Sequence, residues 1–153
     1  MKSLCRHHRL ALAGAVVLAT AGFAHAQGSA PFTFTTPVSI NRLHADITQV
    51  RTRCWIFSTS NWQGGQGLIA EAASDPLPTT LEGSARSFNG EIDLEVLPQN
   101  ITGNPNEARS YRCQVELYEA PRQAWVTASE LDQHYPIDRS AVTVPQTGGP
   151  IER

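Results

Sequence analysis

Residues 49–58, QVRTRCWIFS, decide the fold. Val50, Thr52, Cys54 and Ile56 recur at period two while Arg51 and Arg53 point the other way, the pattern of a strand with one face in a core and the other toward water. Residues 110–118, SYRCQVELY, repeat it: Tyr111, Cys113, Val115 and Leu117 share one face, and Arg112, Gln114 and Glu116 share the other. Each strand therefore carries one cysteine on its apolar side. Joined, Cys54 and Cys113 are expected to pin two packed sheets together across the core.

Outward from these strands, short β-rich runs alternate with Gly, Pro, Asn and Ser clusters, as in an all-β sandwich or barrel. Residues 32–35 alternate Phe with Thr, and 38–43 follow Pro37 as a second run. Residues 67–73 form a further candidate, closed by the turn formers Asp75, Pro76 and Pro78. Ile92, Leu94 and Val96 alternate with Glu91, Asp93 and Glu95, a half-buried strand expected to pair through Gly90 with residues 83–88. A loop over 98–106 precedes the second cysteine strand, and 124–127 and 141–144 supply the last strands. Thr127 and Glu130 have capping-box spacing, which predicts a short helix over 128–134. The expected fold is an all-β, two-sheet antiparallel sandwich of about seven strands with one short helix near the C-terminus. It occupies residues 27–145 and is followed by a flexible tail at 146–153.

The chain of 153 residues, 41% hydrophobic and 17% charged, is too apolar for a disordered protein and too short for several ordinary domains. Residues 1–26 read as an export signal, with Lys2, Arg6 and Arg9 before the apolar run 10–21 and Ala24, His25 and Ala26 as the small-x-small cleavage pattern. That run is shorter than the ~20 residues of a spanning helix, so stable membrane insertion is not expected. Cys5 precedes the run, where a lipid-bearing cysteine would follow it. The expected location is the periplasm or the extracellular space. Losing Lys2, Arg6 and Arg9 leaves arginine as the only cation type and shifts the formal charge from −2 further negative, which disfavours nucleic acid and anionic lipid as partners. Two cysteines remain, and an even count in an oxidising compartment reads as one disulfide. With His44 and His134 as the remaining histidines, metal ligation by those cysteines lacks partners.

With Cys54 on an early strand, Cys113 on a late one and Tyr111 two residues before the second cysteine, residues 50–119 resemble an immunoglobulin-like sandwich domain. The resemblance implies that architecture, with Tyr111 as a tyrosine corner whose hydroxyl ties the strand entry to upstream backbone. It implies no activity.

Candidate contact residues cluster in two places. Trp62 lies in residues 58–67 among Ser, Thr, Asn, Gln and Gly, flanked by Asn61 and Gln63. Such a Trp suits a sugar-stacking platform or a protein hot spot, or it folds back as a lid over the Cys54 strand; the sequence leaves both open. Arg51, Arg53 and Arg112 would meet on an outer face if their strands come together, there to bind an anionic glycan or an acidic partner, or to pair with the acidic strand. Glu91, Asp93 and Glu95 themselves read as a solvated face, because calcium wants a tight loop of many oxygens. The sequon Asn100, Ile101, Thr102 matters only in a eukaryotic secretory pathway.

Catalytic signals are sparse. His44 and Asp46, with His134 as a possible third member, are the acid–base or metal candidates, and such chemistry needs three or four convergent groups. No Gly-x-Ser-x-Gly elbow is present. The expectation is thus an exported binding or interaction module without catalysis, cofactor or metal. It contacts another envelope or extracellular protein, or a glycan, through Trp62, Asn61, Gln63, Arg51, Arg53 and Arg112. In one variant the 32–35 segment is a strand donated to a neighbouring subunit. The alternative is a small envelope hydrolase or metal-dependent enzyme using His44 and Asp46.

Overall fold

A computed structural model describes residues 31–131, 133, 135, 142–143 and 147–151. The export segment 1–26 and His134 lie outside the described residues. The elements in chain order are β1 (Phe32–His44), β2 (Ile47–Phe57), β3 (Leu68–Ala73), β4 (Leu77–Pro78), β5 (Thr80–Glu82) and β6 (Ala85–Val96). They continue with β7 (Ser110–Glu119), β8 (Ala124–Thr127), α1 (Ala128–Leu131), β9 (Val142–Thr143) and β10 (Thr147–Pro150). One sheet has the order β5-β6-β1-β9 and the other β10-β7-β2-β3, with β4 beside β2 and β8 beside β7. All pairings are antiparallel.

The two sheets pack face to face as the period-two pattern requires. Val50, Cys54 and Ile56 of β2 and Cys113, Val115 and Leu117 of β7 are buried from one side. Val38 and Ile40 of β1 and Ile92, Leu94 and Val96 of β6 meet them from the other. Each such aliphatic side chain contributes about 1.5–3 kcal/mol through its removal from water. The alternation in β1 is reset by a bulge between Ile40 and Leu43, where Arg42 takes φ 60°, so that Leu43 also faces the core.

Several boundaries differ from expectation. Residues 32–35 and 38–43 belong to the single strand β1, because the fixed φ of Pro37 suits extended backbone and does not interrupt the ladder with β6. That ladder pairs Phe32 with Val96 through Thr35 with Asp93, so the segment considered for donation lies within its own sheet here. Gly90 does not turn the chain. It sits extended inside β6 opposite Val38, and the hairpin forms instead at Gly83, whose φ of +64° joins β5 to β6. The tail contributes β10, pairing Thr147–Pro150 with Ser110 to Cys113. The helix α1 starts with the expected capping box: the Thr127 N–H donates to Glu130 Oε2 at 2.7 Å and the Glu130 N–H donates to Thr127 Oγ1 at 3.3 Å. The backbone N–H bond from Thr127 holds the Glu130 carboxyl below its ordinary pKa.

The disulfide forms between the predicted partners but in a different place. Cys54 and Cys113 lie directly opposite one another on the adjacent strands β2 and β7, with Cα atoms 4.1 Å apart. The bond therefore crosses one ladder on its core side and does not bridge the two sheets, as the immunoglobulin resemblance implied. Period-two patterning places a cysteine on a face but cannot say whether its partner strand is a neighbour or lies across the core. In place of the tyrosine corner that the resemblance implied, the Tyr111 ring packs against Phe34 with centroids 5.0 Å apart.

The crosslink spans a sequence separation of 59 residues, for which loop-closure entropy amounts to about 4 kcal/mol. The Cys54→Ala/Cys113→Ala double variant is expected to unfold at a markedly lower urea midpoint, by that order of free energy. Equal midpoints for the two proteins would show that the bond contributes nothing to stability.

Candidate functional site

Side chains on the outer side of the six-stranded sheet follow from the same register. Arg51, Arg53 and Trp55 alternate outward along β2. The partners opposite them are Glu116, Gln114 and Arg112 of β7, and Glu71 of β3 opposes Trp55 from the other side. Trp125 of β8 lies opposite Tyr118, and Gly148 of β10 lies opposite Arg112. Directly opposed residues of an antiparallel pair share a face. These side chains consequently line one surface.

Trp62 completes it from a loop. Residues 58–67 form a closed turn tied by Ser58 N–H to the Gly67 carbonyl at 2.8 Å and by Thr59 Oγ1 to the Gln66 carbonyl at 3.2 Å. The Ser110 hydroxyl donates to the Thr59 carbonyl at 2.6 Å, fastening the loop to β7. A Cβ placed on Gly148 would stand 3.0 Å from Trp62 Cδ2 and 3.1 Å from Cε2, so the indole lies on the β10 backbone beside Arg112. Trp62 is thus a lid, but over β10 and the outer face, not over the core. Asn61 and Gln63 stay exposed on the loop, with Asn61 Oδ1 accepting the Gly64 N–H at 3.3 Å. All three tryptophans of the chain, Trp55, Trp62 and Trp125, sit half-buried on this one face.

The charges of the face are unevenly matched. Arg51 reaches Glu116 Oε2 through Nε and Nη2, both at 2.7 Å, and its guanidinium lies 4.1 Å from the centre of the Trp125 ring. Arg53 contacts Glu116 Oε1 and Glu71 Oε1, each at 3.3 Å. Glu116 is accordingly buried although it points away from the core. Arg112 differs: its guanidinium lies 4.6 Å from the Trp55 ring centre, and no carboxylate approaches it among the described residues. Its Nε is buried without a hydrogen-bond acceptor.

The structure brings Arg51, Arg53 and Arg112 together on one surface, as expected for strands that come together, and adds Trp62, which the sequence had placed in a separate loop. The other pairing considered for the arginines, with Glu91, Asp93 and Glu95, is not formed among the described residues. Those acids are exposed on the outer face of the opposite sheet, where Thr35 Oγ1 donates to Asp93 Oδ1 at 2.7 Å. Trp55, Trp125, Tyr118, Glu71 and Glu116 join the arginine face without having been singled out. For Trp55 the signal was present, since it shares parity with Arg51 and Arg53. For Trp125 and Glu71 it was not, because their places depend on which strands pair.

His44 and Asp46 also meet, at the β1–β2 turn. His44 Nδ1 lies 3.3 Å from both the Asp46 N–H and Asp46 Oδ2. Tyr135 adds a contact the sequence did not suggest: its ring stacks on His44 with centroids 4.3 Å apart, and its hydroxyl donates to Asp46 Oδ2 at 3.0 Å. Among the described residues no three His, Cys, Asp or Glu side chains converge as metal ligands, and no helix is long and apolar enough to cross a membrane.

Two outcomes are expected. Gly148→Ala forces a Cβ against Trp62 and the Tyr111 carbonyl, both 3.0 Å away, and should cost about 1–3 kcal/mol in urea unfolding while red-shifting the tryptophan emission. In a Trp62→Phe background the emission shift should vanish; its persistence would place the disturbance elsewhere. Burial pushes the Tyr135 hydroxyl above its ordinary pKa of 10.0, and the bond to Asp46 with the nearby Glu119 charge adds to the effect. Because the folded state holds that proton more tightly, the stabilisation is full below pH 10.0 and is lost as pH rises through the raised value. The stability advantage of the native chain over Tyr135→Phe should hold below pH 10.0 and shrink as pH rises above it, whereas a pH-independent difference would refute the linkage.

Compared with protein-family models, curated proteins and solved structures, the chain finds no match in any of the three.

Proposed function

We propose that this chain is an exported, disulfide-stabilised binding module of the cell envelope or extracellular space, and that it acts on another protein through the outer face of its six-stranded sheet. The observation that carries the reading is the gathering of every tryptophan, together with Tyr118 and three arginines, on one half-exposed surface. Trp, Tyr and Arg are the residues in which contact energy concentrates, because they combine large apolar area with few rotatable bonds or a rigid donor fork. A sheet strapped by a disulfide holds them in place before binding, so little ordering entropy is lost on association. Export is supported by the signal-like residues 1–26 and by a disulfide, which persists in oxidising compartments. An immunoglobulin-like relationship does not enter the reading, since the disulfide and Tyr111 are placed differently from that family's pattern.

The test is a crosslinking pull-down with the mature protein from envelope extract and culture medium, run beside Trp55→Ala and Trp62→Ala. A defined partner captured by the native chain, and lost by about tenfold or more in both variants, is expected for hot-spot residues. Capture that both folded variants retain would remove the contact surface from this face.

A further inference from the structure

We infer that Arg112 is the receptor for a carboxylate, and that the partner of this face presents an acidic polypeptide segment whose Asp or Glu side chain docks there. The inference rests on the binding reading above and narrows it to a partner chemistry. Of the three arginines on the face, two are neutralised within the fold: Arg51 and Arg53 share Glu116, and Arg53 also meets Glu71. Arg112 alone keeps its charge without an anion among the described residues, and its enclosed Nε has no acceptor. Elsewhere on this face each guanidinium has been given a carboxylate, so the third is the one place where an incoming anion completes the pattern.

Its surroundings are built for that task. Arg112 lies on a strand paired on both sides, to Trp55 of β2 and Gly148 of β10, so its backbone is held by two ladders. The Arg112 guanidinium carbon lies 4.6 Å from the centre of the Trp55 ring, a cation–π contact that restrains the group, and its two Nη atoms remain to pair with a carboxylate in the bidentate manner that a lysine cannot offer. Trp62 lies on Gly148, which pairs with Arg112 across the ladder, and so adds apolar surface beside the site. A polypeptide fits better than an acidic glycan. Sugar hydroxyls need acceptors as well as donors, and both carboxylates of the face, Glu71 and Glu116, already accept from arginines, which leaves only the weaker amide acceptors of Gln114 and the loop for a glycan.

The experiment uses the isotopically labelled mature chain with its disulfide intact and follows the indole N–H signals of Trp55 and Trp62 and the Nε–H signal of Arg112. The probes are an acetylated, amidated hexaglutamate, its hexaglutamine counterpart and trigalacturonate. Hexaglutamate is expected to shift all three signals saturably and hexaglutamine to leave them in place. Arg112→Gln should weaken the hexaglutamate response at least about tenfold, as for loss of a charged hydrogen-bonded pair. Arg112→Lys should also weaken it, and it supplies the test if the glutamine variant does not fold. An equal response to hexaglutamine, or an unchanged response in either folded variant, overturns the proposal. A response to trigalacturonate in place of the peptide overturns the polypeptide partner. Self-association that Arg112→Gln abolishes, with no response to the peptide, would make the occupant a second copy and overturn it too. In the pull-down, capture lost by the Trp variants but kept by Arg112→Gln would defeat the carboxylate inference while leaving the binding face standing.

Discussion

The register between β2 and β7 is the constraint on which the rest of the molecule depends. Ten residue pairs run from Ile47 opposite Glu119 to Phe57 opposite Ser110, and the Cys54–Cys113 bond locks one of them covalently on the core side. A slip of one residue would turn Val50, Thr52, Cys54 and Ile56 outward and Arg51, Arg53 and Trp55 inward, exchanging the core for its cover. The crosslink makes that exchange impossible without breaking a covalent bond. It also sets the free edges that the remaining strands occupy: β10 and β8 share the far edge of β7, while β3 and β4 share that of β2.

Both sheets have outer faces, yet the two are physically different. On the four-stranded sheet short polar side chains face short acids, with Thr35 bonded to Asp93 and Ser39 Oγ donating to Asn89 Oδ1 at 2.6 Å, and the surface is open to water. On the six-stranded sheet long side chains lie down on one another. Arg51 is sandwiched between Glu116 and Trp125, and Arg112 covers Trp55. Removing only Glu116 or only Arg51 there would strand a half-buried charge, which is costlier than never having had the pair. The ion pairs thus bind the face into one unit, and Arg112 stands out because no carboxylate among the described residues compensates it.

The alternation of Val50, Thr52, Cys54 and Ile56 and of Cys113, Val115 and Leu117 determined the all-β class, the two core strands and which face of each is buried, because side-chain direction in an extended chain is a local property of period two. The turn at Gly83, the bulge at Arg42 and the union of the two N-terminal runs were less legible, since glycine and proline permit several backbone states and packing selects among them. The cluster of Arg51, Arg53 and Arg112 was readable as far as a shared parity goes. That Trp62 covers Gly148, that Trp125 lies on Arg51, that Tyr135 bonds Asp46 and that the disulfide joins neighbours within one sheet were decided only by the tertiary structure. Each of these depends on which distant segments pair, and pairing is chosen by the whole core at once, not by any window of residues.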